Sequence, residues 1–322
     1  MHLPDGFLDA KTALLSSGAA VAGVGVALRQ MRASLPPRQM PMLGLAAAFV
    51  FAAEMLNFPV AGGTSGHLVG GVLTAVLLGP SAAVIVMTCV LMVQCLMFGD
   101  GGLLSLGANV FNMGIVSVCG GYFVFRLAKK VMRLDETRGT IFAAAFAGWC
   151  GTVLASISCA GQIALSGSAP WGLVFPAMAN VHMLIGVGEG LATGLIVLAV
   201  LRRRPELVAA DRENSGENRV GYAAYGLLLC IGLAVFVGPF ACPWPDGLEQ
   251  VARTLGFEGQ AAATGPRAPL ADYRVPFAGS AALATAIAGV IGTVAAFIAA
   301  WVLARALVPG LGTAKKDAPR GD

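Results

Sequence analysis

Apolar residues fall in nine long runs, separated by short polar or glycine-rich segments. The runs cover roughly residues 11–28, 42–58, 64–79, 81–98, 103–127, 139–167, 175–201, 220–240 and 275–307. A helix needs about 17–25 apolar residues to cross the hydrocarbon core of a bilayer, and most of these runs reach that length. Run 64–79 is the shortest and is stopped by Pro80. The pattern predicts an all-α, polytopic membrane protein.

The basic residues indicate whether run 64–79 crosses the membrane. With nine crossings and an outer N-terminus, 17 of the 21 lysines and arginines fall on the inner side. Without that crossing, the basic cluster from Arg126 to Arg138 would face outward. Because inner loops are enriched in Lys and Arg, the charges favour nine crossings. They predict a cell (inner) membrane protein with an extracytoplasmic N-terminus and a cytoplasmic C-terminus.

The amino-acid composition agrees with a protein that is surrounded by membrane lipid. The chain is 57% hydrophobic and 12% charged, whereas soluble domains carry about 25% charged residues. The net charge of +4 comes from clusters between apolar runs, so we interpret it as a topology signal and not as nucleic-acid binding. The first ten residues contain no Lys or Arg, which does not fit a cleaved signal peptide. We therefore expect a native, uncleaved N-terminus.

One polar segment divides the chain. Residues 206–219 predict a cytoplasmic linker between a seven-run domain, 1–205, and a two-run domain, 220–322. The second domain has one long outer loop, from Ala241 to Arg274.

The three histidines are candidate metal ligands. His2, His67 and His182 all fall in the outer half of the predicted topology. His67 follows the glycine-rich turn 61–66, and His182 lies about two helical turns into the seventh run. Their spacing alone leaves two interpretations open, three unrelated histidines or one metal site.

The second position of a chain has a special coordination chemistry. The α-amine, the amide nitrogen of residue 2 and the imidazole of residue 2 can wrap one metal ion in small chelate rings. Deprotonating the amide needs a strongly polarising ion such as Cu²⁺ or Ni²⁺, and tetragonal nitrogen sites are typical of both. His67 is a candidate for the fourth nitrogen. The site requires that Met1 is retained, which we expect because aminopeptidases remove Met only before small residues.

Several other polar residues lie within or beside the apolar runs. A buried carboxylate is costly in a membrane, so Glu54 and Glu189 are either functional or hydrogen-bonded to a neighbouring helix. Asn57, Asn109 and Asn112 could support metal-binding loops from behind or join helices. Six of the seven cysteines lie in apolar runs without metal-ligand spacing, and we interpret them as buried structural thiols.

Some classes of function do not fit the motifs of this sequence. The sequence contains neither GxxxxGK[ST] nor HExxH, so a P-loop ATPase and a zinc protease of that type are excluded. A metal-dependent enzyme would need an open coordination position, which four nitrogens in a plane do not leave. A self-sufficient secondary transporter or channel for divalent transition metals would need polar groups through the bilayer, and only Glu54 and Glu189 are available.

Four separated segments carry a family resemblance. They are MHLPDGFLD at 1–9, NFPVAGGTSGHLVGG at 57–71, GANVFNMG at 107–114 and HMLIGVGEG at 182–190. Residues 1–205 thereby resemble the CbiM/NikM family, the substrate-specific membrane components of energy-coupling-factor (ECF) transporters for cobalt and nickel. The resemblance implies a seven-helix bundle. It also implies a metal site made by the Met1 amine, the His2 amide nitrogen and the His2 and His67 imidazoles. From their positions in the sequence, Asn57, Asn109, Asn112, His182 and Glu189 are candidate supporting residues of that site.

Residues 220–322 resemble the NikN/CbiN accessory subunit that accompanies these proteins. The segments PDGLE at 245–249 and DYRVP at 272–276 carry this resemblance, so the chain is predicted to be a fusion of the two components. Because the outer loop contains no histidine, we predict that it helps loading or opening without being a metal ligand.

The resemblance also implies partners and a function. The partners are a CbiQ/NikQ-like coupling membrane subunit, CbiO/NikO-like ATPase subunits as separate chains, and membrane lipid. The chain would capture Ni²⁺ or Co²⁺ as transported substrate, with a link to cobalamin biosynthesis for cobalt, and would have no permanent cofactor. It would not be an enzyme, since its partners would hydrolyse ATP.

Overall fold

The computed structural model describes residues 1–34, 39–132, 134–203, 219–262 and 268–307. The predicted linker lies outside these residues except for Arg219, as do several predicted inner basic residues, including the C-terminal lysines. In chain order the main elements are α1 (Ala10–Ser34), α2 (Met40–Glu54), β1 (Phe58–Val60), β2 (Thr64–Gly66), α3 (Gly71–Leu78), α4 (Pro80–Val93), α5 (Leu106–Asn109), α6 (Gly121–Val131), α7 (Glu136–Leu165), α8 (Trp171–Arg203), α9 (Arg219–Phe236), α10 (Gly247–Leu255) and α11 (Ala281–Leu307).

The predicted all-α, polytopic class is confirmed. Within the described residues, seven helices are long and apolar enough to cross a membrane. Two of these spans contain π-helical stretches. The segment Gln94–Phe98 continues α4, and the segment Val110–Gly120 joins α5 to α6. Because π-helical turns are frequently found at functional sites, the end of the bundle where α4 ends and α5 begins is a candidate position for such a site.

Two of the nine predicted runs form helices shorter than a bilayer span. Helix α2 has 15 residues and ends at Glu54. In run 64–79 the helix α3 has only 8 residues, or about 12 Å at 1.5 Å per residue. The rest of that run is strand β2, which pairs antiparallel with β1, and the loop 67–70. The hairpin and loop replace helix because glycines at 62, 63 and 70 take left-handed backbone angles, which glycine adopts at little cost.

Small residues set the helix packing around the site. Helices α7 and α8 lie against each other, and a Cβ added at Gly190 of α8 would come within 2.7 Å of the Ala145 carbonyl oxygen of α7. Helices α9 and α11 pack against α2, where Gly292 of α11 leaves space for the Phe51 ring. Close backbone approach through small residues is typical of membrane helices. The C-terminal part is therefore packed directly on the N-terminal bundle.

Candidate metal site

The first residues of the chain run into the protein interior. Leu3 is fully buried, and the Asn109 side chain makes two hydrogen bonds to the main chain of Leu3. The Leu3 amide donates to Asn109 Oδ1 at 2.8 Å, and Asn109 Nδ2 donates to the Leu3 carbonyl at 3.1 Å. The Asp5 carboxylate accepts hydrogen bonds from the amides of Leu103 and Ser105 at 3.1 and 2.9 Å. These contacts fix residues 3–5, and with them the position of the chain terminus.

The free α-amine of Met1 lies beside His67. Met1 is buried, and its amine donates to His67 Nε2 at 3.1 Å. His67 Nδ1 lies 3.0 Å from the Leu68 carbonyl oxygen. Since a carbonyl can only accept a hydrogen bond, Nδ1 carries the proton and Nε2 presents its lone pair to the amine. This tautomer suits a metal ligand whose other ring nitrogen is held by the main chain.

Glu189 of α8 holds the loop that carries His67. Its two carboxylate oxygens accept hydrogen bonds from the Val69 amide at 2.6 Å and the Gly70 amide at 2.9 Å. Of the two interpretations that the sequence leaves open for Glu189, the structure favours a supporting role at the site. A carboxylate buried at this depth is satisfied by two main-chain donors, and in return it fixes the backbone just after His67.

The His2 imidazole completes a group of nitrogen atoms around the terminus. Its ring centroid lies 5.3 Å from that of His67. Nδ1 of His2 is buried and has no hydrogen-bond partner among the described residues; the Asp100 Oδ1 atom lies 3.6 Å away. Burial lowers the pKa of His2, so the ring is neutral near pH 7 and can offer a lone pair to a metal ion.

Asp246 of the PDGLE segment also contacts the Met1 amine, which sequence analysis missed. Its Oδ2 atom lies 2.5 Å from the amine nitrogen. The same carboxylate begins α10 through a capping box, in which Oδ1 accepts from the Glu249 amide and the Glu249 side chain accepts from the Asp246 amide. The D-x-x-E spacing is a recognised signature of a helix start, but it does not reveal that the cap reaches a chain terminus 245 residues away.

The ion pair between Met1 and Asp246 shifts the pKa of both the amine and the carboxyl group. Burial by itself raises the pKa of the Asp246 carboxyl, but the adjacent ammonium outweighs burial and the pKa is lowered. Burial by itself lowers the pKa of the Met1 amine, but the Asp246 carboxylate outweighs it and the pKa is raised. The amine is therefore protonated at neutral pH, and a metal ion that used it as a ligand would have to displace that proton.

His182 lies close by without contacting the amine through a hydrogen bond. Its Nδ1 atom is 2.8 Å from the Met178 carbonyl oxygen, which leaves Nε2 as an acceptor with no partner among the described residues. A Cβ added at Gly247 would lie 3.0 Å from Nε2, so this glycine covers the imidazole edge. Both residues line a small cavity of about 10 Å³, together with Met1, Gly66, His67, Val69, Thr152, Ile185 and Asp246.

The other predicted asparagines differ from Asn109 in their contacts. Asn112 donates to Gln162 and accepts from Ser158, both at 2.7 Å, so it joins helices. Asn57 accepts through its main-chain carbonyl from the Cys242 amide at 2.8 Å and does not line the cavity. Of the three asparagines, the contacts place only Asn109 in direct support of the chain terminus.

The Glu54 carboxylate accepts a hydrogen bond from Gln94 at 2.7 Å. Across the described residues, no three His, Cys, Asp or Glu side chains are grouped so that they could hold a metal ion. A site built from the three imidazoles alone is therefore not preformed.

The distance between the amine and His67 suits a shared metal ion. Two nitrogens that each lie about 2.0–2.1 Å from one ion, at right angles, are about 2.9 Å apart. The observed separation between Met1 N and His67 Nε2 is 3.1 Å. With the neutral His2 ring beside them, these atoms could receive a divalent cation after a small shift.

Comparisons with known proteins identify the family of each part of the chain. The CbiM family, described as "Cobalt uptake substrate-specific transmembrane region", matches residues 2–207. The PDGLE domain matches residues 221–308. A crystal structure of a truncated transition metal transporter is 33% identical, covers 63% of this chain and 99% of that one, and superposes with a TM-score of 0.57.

Curated relatives include both long and short proteins. A putative fused nickel transport protein NikMN from Archaeoglobus fulgidus is 36% identical over 312 residues, which cover 95% of this chain and 98% of the relative. A fused nickel transport protein NikMN from Rhodobacter capsulatus is 32% identical, with 86% and 84% covered. A putative metal transport protein from Haloquadratum walsbyi is 39% identical, and its match covers 67% of this chain but 96% of that protein. This chain therefore belongs to the CbiM family of cobalt uptake substrate-specific transmembrane regions, and it carries a C-terminal PDGLE domain.

Proposed function

We propose that this chain is the substrate-capture component of an ATP-driven ECF importer for Ni²⁺ or Co²⁺. Residues 1–205 would form the metal-binding domain, and residues 220–322 would form the accessory domain. The ligands would be the Met1 amine, the His2 amide nitrogen and the imidazoles of His2 and His67. The metal is the transported substrate, and relatives named as nickel or cobalt transport proteins support both ions.

One observation carries this proposal. A free chain terminus is buried, and its amine lies 3.1 Å from the lone-pair nitrogen of His67. Burying an α-amine costs solvation free energy, and stability alone would be served by a surface terminus. The neighbouring His2 Nδ1 atom is buried and has no hydrogen-bond partner among the described residues, which is costly unless water or a ligand occupies that position.

Reconstitution tests the ATP-driven mechanism. The full-length chain is placed in vesicles with and without a CbiQ/NikQ-like coupling subunit and CbiO/NikO-like ATPases. We expect uptake of Ni²⁺ or Co²⁺ only when all components and ATP are present. Uptake by the chain alone, without ATP, would contradict the proposal and identify a self-sufficient transporter.

The orientation in the membrane is part of the proposal. The 17 inner basic residues of the predicted topology support an outer N-terminus. A single cysteine introduced at Gly259, in a variant without the native cysteines, should react with a membrane-impermeant maleimide from outside intact cells. A cysteine at 206–218 should react only after the cells are opened. The opposite labelling would reverse the orientation and place the metal site on the inner side.

We propose that Asp246 regulates loading by holding the amine in its protonated form. In Asp246→Asn, asparagine can still cap α10, but the charge that raises the pKa of the Met1 amine is removed. We expect the apparent Ni²⁺ affinity at neutral pH to rise, by about tenfold for each unit by which the amine pKa falls. Calorimetry at pH 6 and pH 9 measures this, and the gain should shrink at the higher pH.

Glu249→Gln is the matched control for this change. It removes the other carboxylate of the same capping box without removing the charge that contacts the amine. It should leave the affinity close to that of the unmodified protein. A lower affinity in Asp246→Asn would instead show that Asp246 positions the amine or binds the metal itself.

A further inference from the structure

The turn after the π-helical segment Gln94–Phe98 brings a carboxylate next to His2. Gly101 in this turn has a left-handed φ of +87°, and a Cβ there would lie 2.7 Å from Asn109 Nδ2, so only glycine fits without adjustment. The preceding residue is Asp100, whose Oδ1 atom lies 3.6 Å from His2 Nδ1. The Asp100 side chain is 28% exposed, whereas the His2 side chain is 7% exposed. Asp100 therefore lies on the solvent side of the imidazole.

The gap between Asp100 and His2 is suited to a cation. At 3.6 Å the two atoms are too far apart for a hydrogen bond, and His2 Nδ1 has no other partner among the described residues. Two ligand atoms about 2.0–2.1 Å from one ion are about 3 Å apart at right angles and about 4 Å apart when opposite. The observed spacing falls between these values. It places a carboxylate oxygen and a buried ring nitrogen on two sides of one small space.

The C-terminal domain fixes the second oxygen of Asp100. The Tyr273 hydroxyl donates to Asp100 Oδ2 at 2.6 Å, and the Tyr273 ring stacks on Phe98 with centroids 4.7 Å apart. Asp272 and Tyr273 have φ values of 55° and 56°, which are costly for residues other than glycine and persist only where the surroundings impose them. Holding Oδ2 in this way leaves Oδ1 to face His2.

We propose that Asp100 is a capture ligand for the incoming metal and that Tyr273 is its positioning residue. The ligand class is a hydrated divalent transition-metal cation. Asp100 would bind the cation from the solvent side through Oδ1 and pass it to His2 Nδ1, after which the four nitrogen ligands hold it. This inference rests on the proposed function, because it needs His2 as a ligand. It adds a residue that acts on the rate of binding more than on the final coordination.

Rapid mixing of the purified full-length protein with Ni²⁺ alone tests the proposal. The second-order rate constant is followed through the visible absorption of the bound ion. Removing the Asp100 charge in Asp100→Asn should lower this constant about tenfold or more, within the range known for electrostatic capture. Occupancy at saturating Ni²⁺ should stay close to that of the unmodified protein. Asp272→Asn is the matched control, because it removes an exposed carboxylate from the adjacent loop and asparagine tolerates left-handed angles; its rate constant should change less than twofold.

Tyr273→Phe separates positioning from folding. It keeps the ring that stacks on Phe98 and removes only the hydroxyl that holds Asp100 Oδ2. We expect a smaller decrease in the rate constant than in Asp100→Asn. The double variant should be no slower than Asp100→Asn alone, since both changes act through one carboxylate.

The outcomes distinguish this inference from the proposed function. If Asp100→Asn and Asp272→Asn bind Ni²⁺ at equal rates while the unmodified protein binds normally, Asp100 is not a capture ligand and the proposed function stands. Additive slowing in the double variant would overturn the role of Tyr273. If the unmodified protein fails to bind Ni²⁺, or if His2→Ala binds it unchanged, the proposed metal site is wrong and this inference falls with it.

Discussion

Inserting one alanine between Met1 and His2 is expected to abolish metal transport and to change the absorption spectrum of the bound ion. The insertion keeps every side chain and the net charge. It adds about 3.5 Å of extended chain between the amine and the rest of the segment. The amine and residues 3–5 are held separately, by His67 on one side and by Asn109 on the other. Both sets of contacts cannot be kept with an extra residue between them.

The chelate itself also changes in the inserted protein. The imidazole moves one residue further from the amine, and a second amide nitrogen enters between them. That amide would compete with His67 for the fourth position around the ion. Uptake in cells and the spectrum of the purified, Ni²⁺-loaded protein measure the two effects.

Two controls make the insertion experiment decisive. An alanine inserted between Lys316 and Asp317, far from the N-terminus in sequence, should leave uptake unchanged. Mass spectrometry must show that Met1 is retained, because its removal would leave alanine first and a histidine again in second place. Normal transport by the inserted protein, with its terminus verified, would show that main-chain nitrogens are not ligands.

His67→Ala is expected to abolish uptake, whereas His182→Ala should have a smaller effect. His67 presents a lone pair to the amine at 3.1 Å, and its loss removes the fourth nitrogen of the proposed plane. His182 shares the cavity but bonds to the main chain of its own helix. Its loss should lower metal affinity by about 10–100-fold, as is typical for residues that support ligands, and His67→Ala should exceed that range. Equilibrium binding of Ni²⁺ to both variants, checked for equal thermal stability, provides the comparison.

Equal losses in the two variants would contradict this assignment. They would indicate that His182, like His67, binds the metal ion directly in a site of three imidazoles. Such a site would require rearrangement, because His182 Nε2 is covered by Gly247 in the metal-free structure.

The sequence predicted the bundle well because lipid imposes simple rules on it. Long apolar runs must form helices to satisfy their backbone groups, and the predicted all-α, polytopic class is confirmed. Run 64–79 is the exception, since its glycines permit a hairpin and loop that hydropathy does not distinguish from helix. Local chemistry also indicated His2, because the chelating capacity of a histidine in the second position depends on atoms that are adjacent in the chain. His67 followed as a candidate for the remaining nitrogen ligand.

Contacts between distant segments could not be predicted in the same way. The position of Glu189 in the sequence indicated a costly buried charge, but not that it binds the amides of Val69 and Gly70. Asp246 and Asp100 were missed because both lie in loops where acidic residues are common. Their roles depend on a fold that brings residues 1, 100 and 246 together. Only three-dimensional structure distinguishes them from other loop carboxylates.

The presence of Asp246 on the same chain as Met1 has a consequence for repeated turnover. When two groups share one chain, the contact between them forms within one molecule, so its effective concentration does not depend on how much of the protein the cell contains. A weak ion pair then suffices, since the accessory loop cannot diffuse away when the contact opens. If Asp246 regulates loading as proposed, the loop would release the amine for each incoming ion and close again after each delivery. An accessory loop on a separate chain would instead have to bind tightly enough to return at its cellular concentration.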